Sequence, residues 1–153
     1  MNRSILLRSI LFLLSALLIF ILVYLLYVII SYQRIPDNQE ISVRQSTQTP
    51  TSLSTSTPYT AVTYNLGFGA YTPSFTFFMD GGKQSVAESK ESVLSCIQGA
   101  INTMETQNAD FILLQEIDVD STRSHHVNEK ALLEGAFSSY HASFAFNYNS
   151  AYL

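Results

Sequence analysis

The sequence predicts an α/β domain preceded by one membrane-spanning helix. Three features predict it. Residues 10–30 form an unbroken apolar run, residues 59–65 and 110–116 are short strand-like segments that each end on a polar residue, and a stretch of helical periodicity separates the two. A strand, a crossover helix and a second strand make a βαβ unit, whose right-handed crossover leaves the strands parallel. Parallel strands bring their C-terminal ends to one edge, where open α/β sheets bind ligands.

The apolar run comes first along the chain. Ser15 is its only small polar residue, and at about 1.5 Å per residue it spans roughly 32 Å, enough for a hydrocarbon core of about 30 Å. A secretory signal has a shorter apolar region and a small-x-small cleavage site, which Ile30-Ser31-Tyr32 does not offer. The flanks set the orientation. Arg3 and Arg8 precede the run with no acid nearby, whereas Arg34 and Arg44 follow it together with Asp37 and Glu40. Counting basic residues close to the span, with the α-amine, places the N-terminus in the cytoplasm and the rest outside. Tyr24, Tyr27 and Tyr32 suit an aromatic belt at the outer interface. The expected organisation is a cytoplasmic tail (1–9), a single-pass span (10–32), a linker (33–58) and a globular part (59–153).

The linker reading rests on composition. Residues 46–58 are almost entirely Ser, Thr, Pro and Gln, and such a segment buries too little apolar surface to offset its ordering entropy. The globular pattern begins at Tyr59. Ser85-Val86-Ala87-Glu88 reads as a capping box. Val93, Leu94, Ile97, Ala100, Ile101 and Met104 then repeat at the spacing of a helix that lies on a sheet. Asn108 suits a left-handed stop. Residues 111–114 are continuously apolar, as in a strand buried on both faces. Residues 127–137 suit a second, shorter helix, and residues 138–148 alternate like a further strand. The pattern runs out within that segment, so the chain reads as the N-terminal part of a longer domain.

Composition narrows the function. The net charge is −4, and beyond residue 58 the acids outnumber Lys83, Lys90, Arg123 and Lys130. No basic stripe is available to track a long duplex backbone. Cys96 is the only cysteine, which rules out an intramolecular disulfide. Its place on the helical stripe predicts a structural thiol. Nothing in the pattern signals an oligomer.

The chemistry-bearing residues are Asn65 and Glu116. Singly, Asn65 before Leu66-Gly67 is a turn former and Glu116 is the first solvated residue after a buried strand. Jointly, at neighbouring ends of parallel strands, an amide and a carboxylate can begin a magnesium and phosphate site, since Mg²⁺ takes a few carboxylates plus water and phosphate oxygens. Arg123 is a candidate for binding substrate phosphate through its guanidinium fork. His125 and His126, beside Arg123, are close enough to reach a phosphate but read as solvated surface, a two-His zinc site lacking further visible ligands, and Asp118 and Asp120 could support the metal but fit turn chemistry better. Gly81-Gly82-Lys83 lacks the P-loop pattern and reads as a turn.

At Thr63-Tyr64-Asn65-Leu66-Gly67 and Leu113-Leu114-Gln115-Glu116 the chain resembles the endonuclease/exonuclease/phosphatase superfamily. Residues 77–83 and 118–124 look like those of a membrane-tethered bacterial subgroup of it. The resemblance implies an α/β fold, the N-terminal part of a four-layered α/β sandwich. It also implies metal-dependent hydrolysis of phosphate esters, with Mg²⁺ (or Mn²⁺) as cofactor. On that likeness Glu116 is the metal ligand and Asn65 an active-site residue that hydrogen-bonds the catalytic carboxylate or the attacking water. The substrate would be a phosphate ester, with nucleic acid, phospholipid and inositol phosphate all open. The resemblance covers the first third of such a domain. The family's later motifs, a catalytic His, an Asp-x-Asn pair and a terminal Asp-His, have no counterpart among these residues, so this stretch alone is expected to be inactive. The alternative from a different class is a non-catalytic, membrane-tethered binding or scaffold module with an α/β fold.

Overall fold

The computed structural model describes residues 3–32, 34–46, 48 and 52–150. Parts of the expected tail and linker, residues 1–2, 33, 47 and 49–51, lie outside the described residues, as do residues 151–153. The chain divides into two units, residues 3–40 with 145–150 and residues 41–144.

The first unit is dominated by α1, Arg3–Ser31. None of its residues is buried, and the mean hydropathy of its most apolar window is 3.0. It is long and apolar enough to cross a membrane. A helix that is apolar all round belongs in a protein core or in lipid. Ser15 turns its hydroxyl back onto the Leu11 carbonyl at 2.9 Å, so the run's one small polar side chain is satisfied within the helix. The helix also takes in Arg3 and Arg8, which lie within the expected tail.

The second unit is α/β. Its strands are β1 (Val43–Arg44), β2 (Ala61–Asn65), β3 (Phe111–Gln115) and β4 (Ala142–Ser143), and its helices are α2 (Lys90–Glu105) and α3 (Glu129–Ala136). Strands β2 and β3 pair in parallel, with Ala61 opposite Phe111 and Asn65 opposite Gln115, and α2 is the crossover between them. This is the βαβ unit that the periodicity predicts. Thr60 locks the start of the pair. Its carbonyl accepts from the Asp110 and Phe111 amides at 2.9 and 3.1 Å, and its own amide donates to the Asp110 carboxylate at 2.8 Å.

Helix α2 buries Val93, Ile97, Ala100, Ile101 and Met104, with Val62, Ile112 and Leu114 of the sheet packed against that core. Leu94, also in the predicted stripe, is exposed. The capping box forms four residues later than expected. Ser89 is the N-cap; its hydroxyl accepts from the Ser92 amide while the Ser92 hydroxyl accepts from the Ser89 amide. Ser85–Glu88 cannot begin the helix, because the Ala87 amide donates to the Arg123 carbonyl at 2.8 Å and the Ala87 carbonyl meets the His125 ring. Asn108 adopts the expected left-handed conformation, φ 45°.

Three further expectations are revised. Strand β3 is not buried on both faces: Ile112 and Leu114 lie toward the core while Phe111 and Leu113 are 43 % and 53 % exposed, because α2 covers one face alone. The strand expected over residues 138–148 is reduced to Ala142–Ser143. Its partner is β1, inside the stretch read as linker, with Val43 opposite Ser143 and Arg44 opposite Ala142. Arg44 secures that pairing by donating to the Phe137, Ser138 and Tyr140 carbonyls at the end of α3. Phe137 is the C-cap of α3 and Ser138 and Tyr140 follow it, so the guanidinium fork ties β1 to the chain that leaves the helix.

Candidate functional site

Asn65 is the last residue of β2, and Glu116 directly follows β3. The register sets Asn65 opposite Gln115, so Glu116 lies one residue beyond it at the same C-terminal edge of the sheet. Asn65 Nδ2 donates to Glu116 Oε1 at 2.9 Å, and Asn65 Oδ1 accepts from the Gly67 amide at 2.9 Å. This Asx turn assigns the amide, since with Oδ1 held by Gly67 the NH₂ group must face the carboxylate.

The turn behind the pair is under strain that the ladder holds in place. Glu116 sits at φ 55°, and Gly67, Phe68 and Gly69 at 52°, 46° and 63°. A left-handed conformation costs a non-glycine residue about 1–2 kcal/mol. Leu66 donates to the Gln115 carbonyl at 2.9 Å and Phe68 to the Glu116 carbonyl at 3.0 Å, so both strand ends are stitched to the same loop. Phe68 is buried and packs edge-on to Phe75. Strain of this kind gathers where side chains must be aimed.

The pair opens onto a cleft of about 580 Å³. Tyr64, Tyr71, Cys96, Gly99 and Thr103 line it together with Asn65, Gly67 and Glu116. Burial, then the charges of Asp80 and Glu116, push the Tyr71 hydroxyl above its ordinary value. Burial likewise raises the Cys96 thiol. Comparison with known protein families, curated proteins and solved structures finds no match for this chain.

Arg123 lies apart from the cleft lining and is already engaged. Its Nε and Nη2 grip both Asp118 oxygens at 2.9 and 2.8 Å, and the guanidinium lies 4.3 Å from the centre of the Phe68 ring. Burial acts to lower its pKa, but the hydrogen bond and charge of Asp118, with Glu116 and Glu129, raise it above the ordinary value. Arg123 is thus close enough to feel the Glu116 charge while its fork is closed on Asp118. Asp120 pairs with His126 at 2.6 Å on the exposed surface, and His125 caps the Ala87 carbonyl. Neither histidine lines the cleft. Among the described residues, no three His, Cys, Asp or Glu side chains converge on one point. Gly81 at φ 84° and Gly82, whose Cβ would stand 2.4 Å from the Thr76 backbone, make the expected turn.

Two features escape the sequence reading. Cys96, Gly99 and Thr103 form a stripe of small side chains beside the apolar stripe of α2, and that spacing was available as a signal for a cleft wall. Glu129 is fully buried at the start of α3. Its Oε2 accepts from the Asp118 amide at 2.9 Å, and Oε1 is buried without a partner. Burial, helped by the Asp118 charge and opposed by the Asp118 amide hydrogen bond and by Arg123, raises its carboxyl to about 7. In sequence Glu129 looks like any acid in a first helical turn.

Proposed function

We propose that this chain carries part of the site of a membrane-anchored, metal-dependent phosphoesterase, with Asn65 and Glu116 as its functional pair. The supporting observation is their 2.9 Å hydrogen bond at adjacent parallel strand ends, facing an open cleft. Glu116 Oε2 makes no hydrogen bond among the described residues, so one carboxylate oxygen is available to a hard cation. Mg²⁺ characteristically takes one or two carboxylates and completes its shell with water and substrate phosphate, and the donor set fits that use. Glu116 would hold Mg²⁺ or Mn²⁺, which when bound supplies Lewis-acid polarisation of a phosphoryl oxygen. Asn65 fixes the rotamer of that carboxylate, and the Gly67 amide fixes Asn65. Tyr64 and Tyr71 give the cleft aromatic walls. Arg123 adds positive potential near the site and would bind phosphate only on release from Asp118.

The finer fold and topology belong to the same reading. A parallel strand pair with a helix on one face and Phe111 and Leu113 open on the other is compatible with the N-terminal part of a four-layered α/β sandwich of the endonuclease/exonuclease/phosphatase type. Arg3 and Arg8 support a cytoplasmic N-terminus and an outward domain. A non-catalytic, membrane-tethered binding module is the second reading. It is favoured by one observation, that no second carboxylate or histidine lines the cleft among the described residues.

Mn²⁺ binding to the full chain in detergent, followed by electron paramagnetic resonance, tests the pair independently of turnover. Binding is expected in the wild type and lost in Glu116→Gln. Equal binding in both removes the metal role. In a longer parent chain that supplies the later motifs, hydrolysis of bis(p-nitrophenyl) phosphate with and without chelator then separates the two readings, since a binding module holds metal without turnover.

A further inference from the structure

The segment between the Asn65 loop and α2 ends in a turn with an unusual surface. Phe78–Asp80 forms one turn of 3-10 helix, and at its tip Phe78 and Met79 are 53 % and 73 % exposed. The turn is held firmly. Gly82 donates to the Phe77 carbonyl at 2.8 Å, Lys83 and Gln84 to the Thr76 carbonyl at 2.9 Å, and Phe78 to the Gln84 carbonyl at 2.9 Å. Gln84 Oε1 in turn accepts from the Thr76 amide at 2.7 Å. The root of the turn reaches the core through Phe77, whose ring lies 6.2 Å from Phe68 and 6.4 Å from Phe75. Two large apolar side chains are therefore presented to solvent on a braced support rather than on a loose loop.

We propose that the Phe78–Met79 turn is an interfacial anchor that inserts into the bilayer crossed by α1. The connection to that helix argues for this occupant. Strand β1 docks on the globular unit at Val43, so residues 32–42 are all that separate the end of α1 from the docked chain. Fully extended, those residues span about 40 Å at 3.3–3.6 Å per residue, far less than the whole of residues 33–58 would allow. The bilayer is then the one extensive apolar phase always within reach. Asp80 and Lys83 flank the tip with opposite charges, so insertion is driven by apolar burial and not by attraction to anionic lipid. The proposal rests on α1 spanning the bilayer and is independent of any phosphoesterase activity.

The test uses the full chain with Cys96→Ala as background, one copy per phosphatidylcholine nanodisc. Met79→Cys or Phe78→Cys carries an environment-sensitive fluorophore, and Glu105→Cys, exposed on α2, is the comparison position. Resistance to alkaline extraction first establishes the α1 span. Labels at 79 and 78 are then expected to emit to the blue of the label at 105. They should be quenched by bromine-labelled acyl chains, and neither effect should change with salt or anionic lipid. Water-like, unquenched emission at both positions in single-copy discs would overturn the proposal. So would a blue shift that appears only in vesicles holding several copies, which would assign the tip to contact between chains.

Discussion

Replacing Glu129 with Gln isolates a strongly perturbed buried acid. The wild-type carboxyl is fully buried, with Oε2 on the Asp118 amide and Oε1 without a partner. Burial foremost, against the Asp118 amide hydrogen bond and with the charge of Asp118 opposing that of Arg123, raises its pKa from 4.5 to about 7. The folded state therefore keeps a proton that the unfolded chain releases above pH 4.5. The stabilisation from that proton is complete below pH 4.5 and is lost as pH rises through 7. At about 1.4 kcal/mol per unit, the loss across this window is at most about 3 kcal/mol. Gln keeps an acceptor for the Asp118 amide and carries no charge, but it turns the orphan oxygen into an unpaired NH₂, at a cost of about 1–3 kcal/mol at every pH. Urea unfolding of the full chain in micelles can be followed by tyrosine fluorescence, since the chain has no Trp and nine Tyr. Wild-type stability relative to Glu129→Gln is expected to fall by up to about 3 kcal/mol between pH 4.5 and 7. Asp118, Arg123 and every other titrating group are common to both proteins, so the difference reports on position 129. Parallel stability curves across that range would refute the assignment of a buried, raised carboxyl.

Two further substitutions test the loops that carry the site. Arg123→Ala is expected to destabilise the fold by about 3 kcal/mol, because it leaves the buried Asp118 carboxylate unpaired, and most of that loss should vanish in an Asp118→Asn background; an equal loss in both backgrounds in a urea-denaturation cycle would show that the pair is not coupled. Gly67→Ala forces a side chain into φ 52° and sets its Cβ 2.3 Å from the Tyr71 ring, so a loss of about 1–2 kcal/mol and displacement of Tyr71 from the cleft wall are expected, and unchanged urea stability would contradict the left-handed turn.

Periodicity carried much of this architecture. Unbroken apolarity over residues 10–30 specifies a helix suited to lipid without reference to the rest of the chain, and Val93, Ile97, Ala100, Ile101 and Met104 define the buried face of α2 by spacing alone. The positions of Asn65 and Glu116 were legible for the same reason. A right-handed βαβ unit makes the strands parallel and brings both strand ends to one edge; the register then pairs Asn65 with Gln115, and Glu116 reaches Asn65 from one residue further on, where its backbone is left-handed. Tertiary structure decided whatever depends on partners distant in sequence. The start of α2 moved from Ser85 to Ser89 because the Ala87 backbone bonds to residues 123 and 125. Val43–Arg44 became a strand because the Arg44 guanidinium finds carbonyls of residues 137–140. Phe111 and Leu113 are exposed because one helix covers one face of the sheet, a matter of layers rather than of strand composition. Arg123 is closed on Asp118, and Glu129 has its raised acidity, through the folding of residues 117–129 against the Phe68 loop. Local pattern encodes which face of an element is apolar, whereas the environment of a charge is set by chain segments that only the fold brings together.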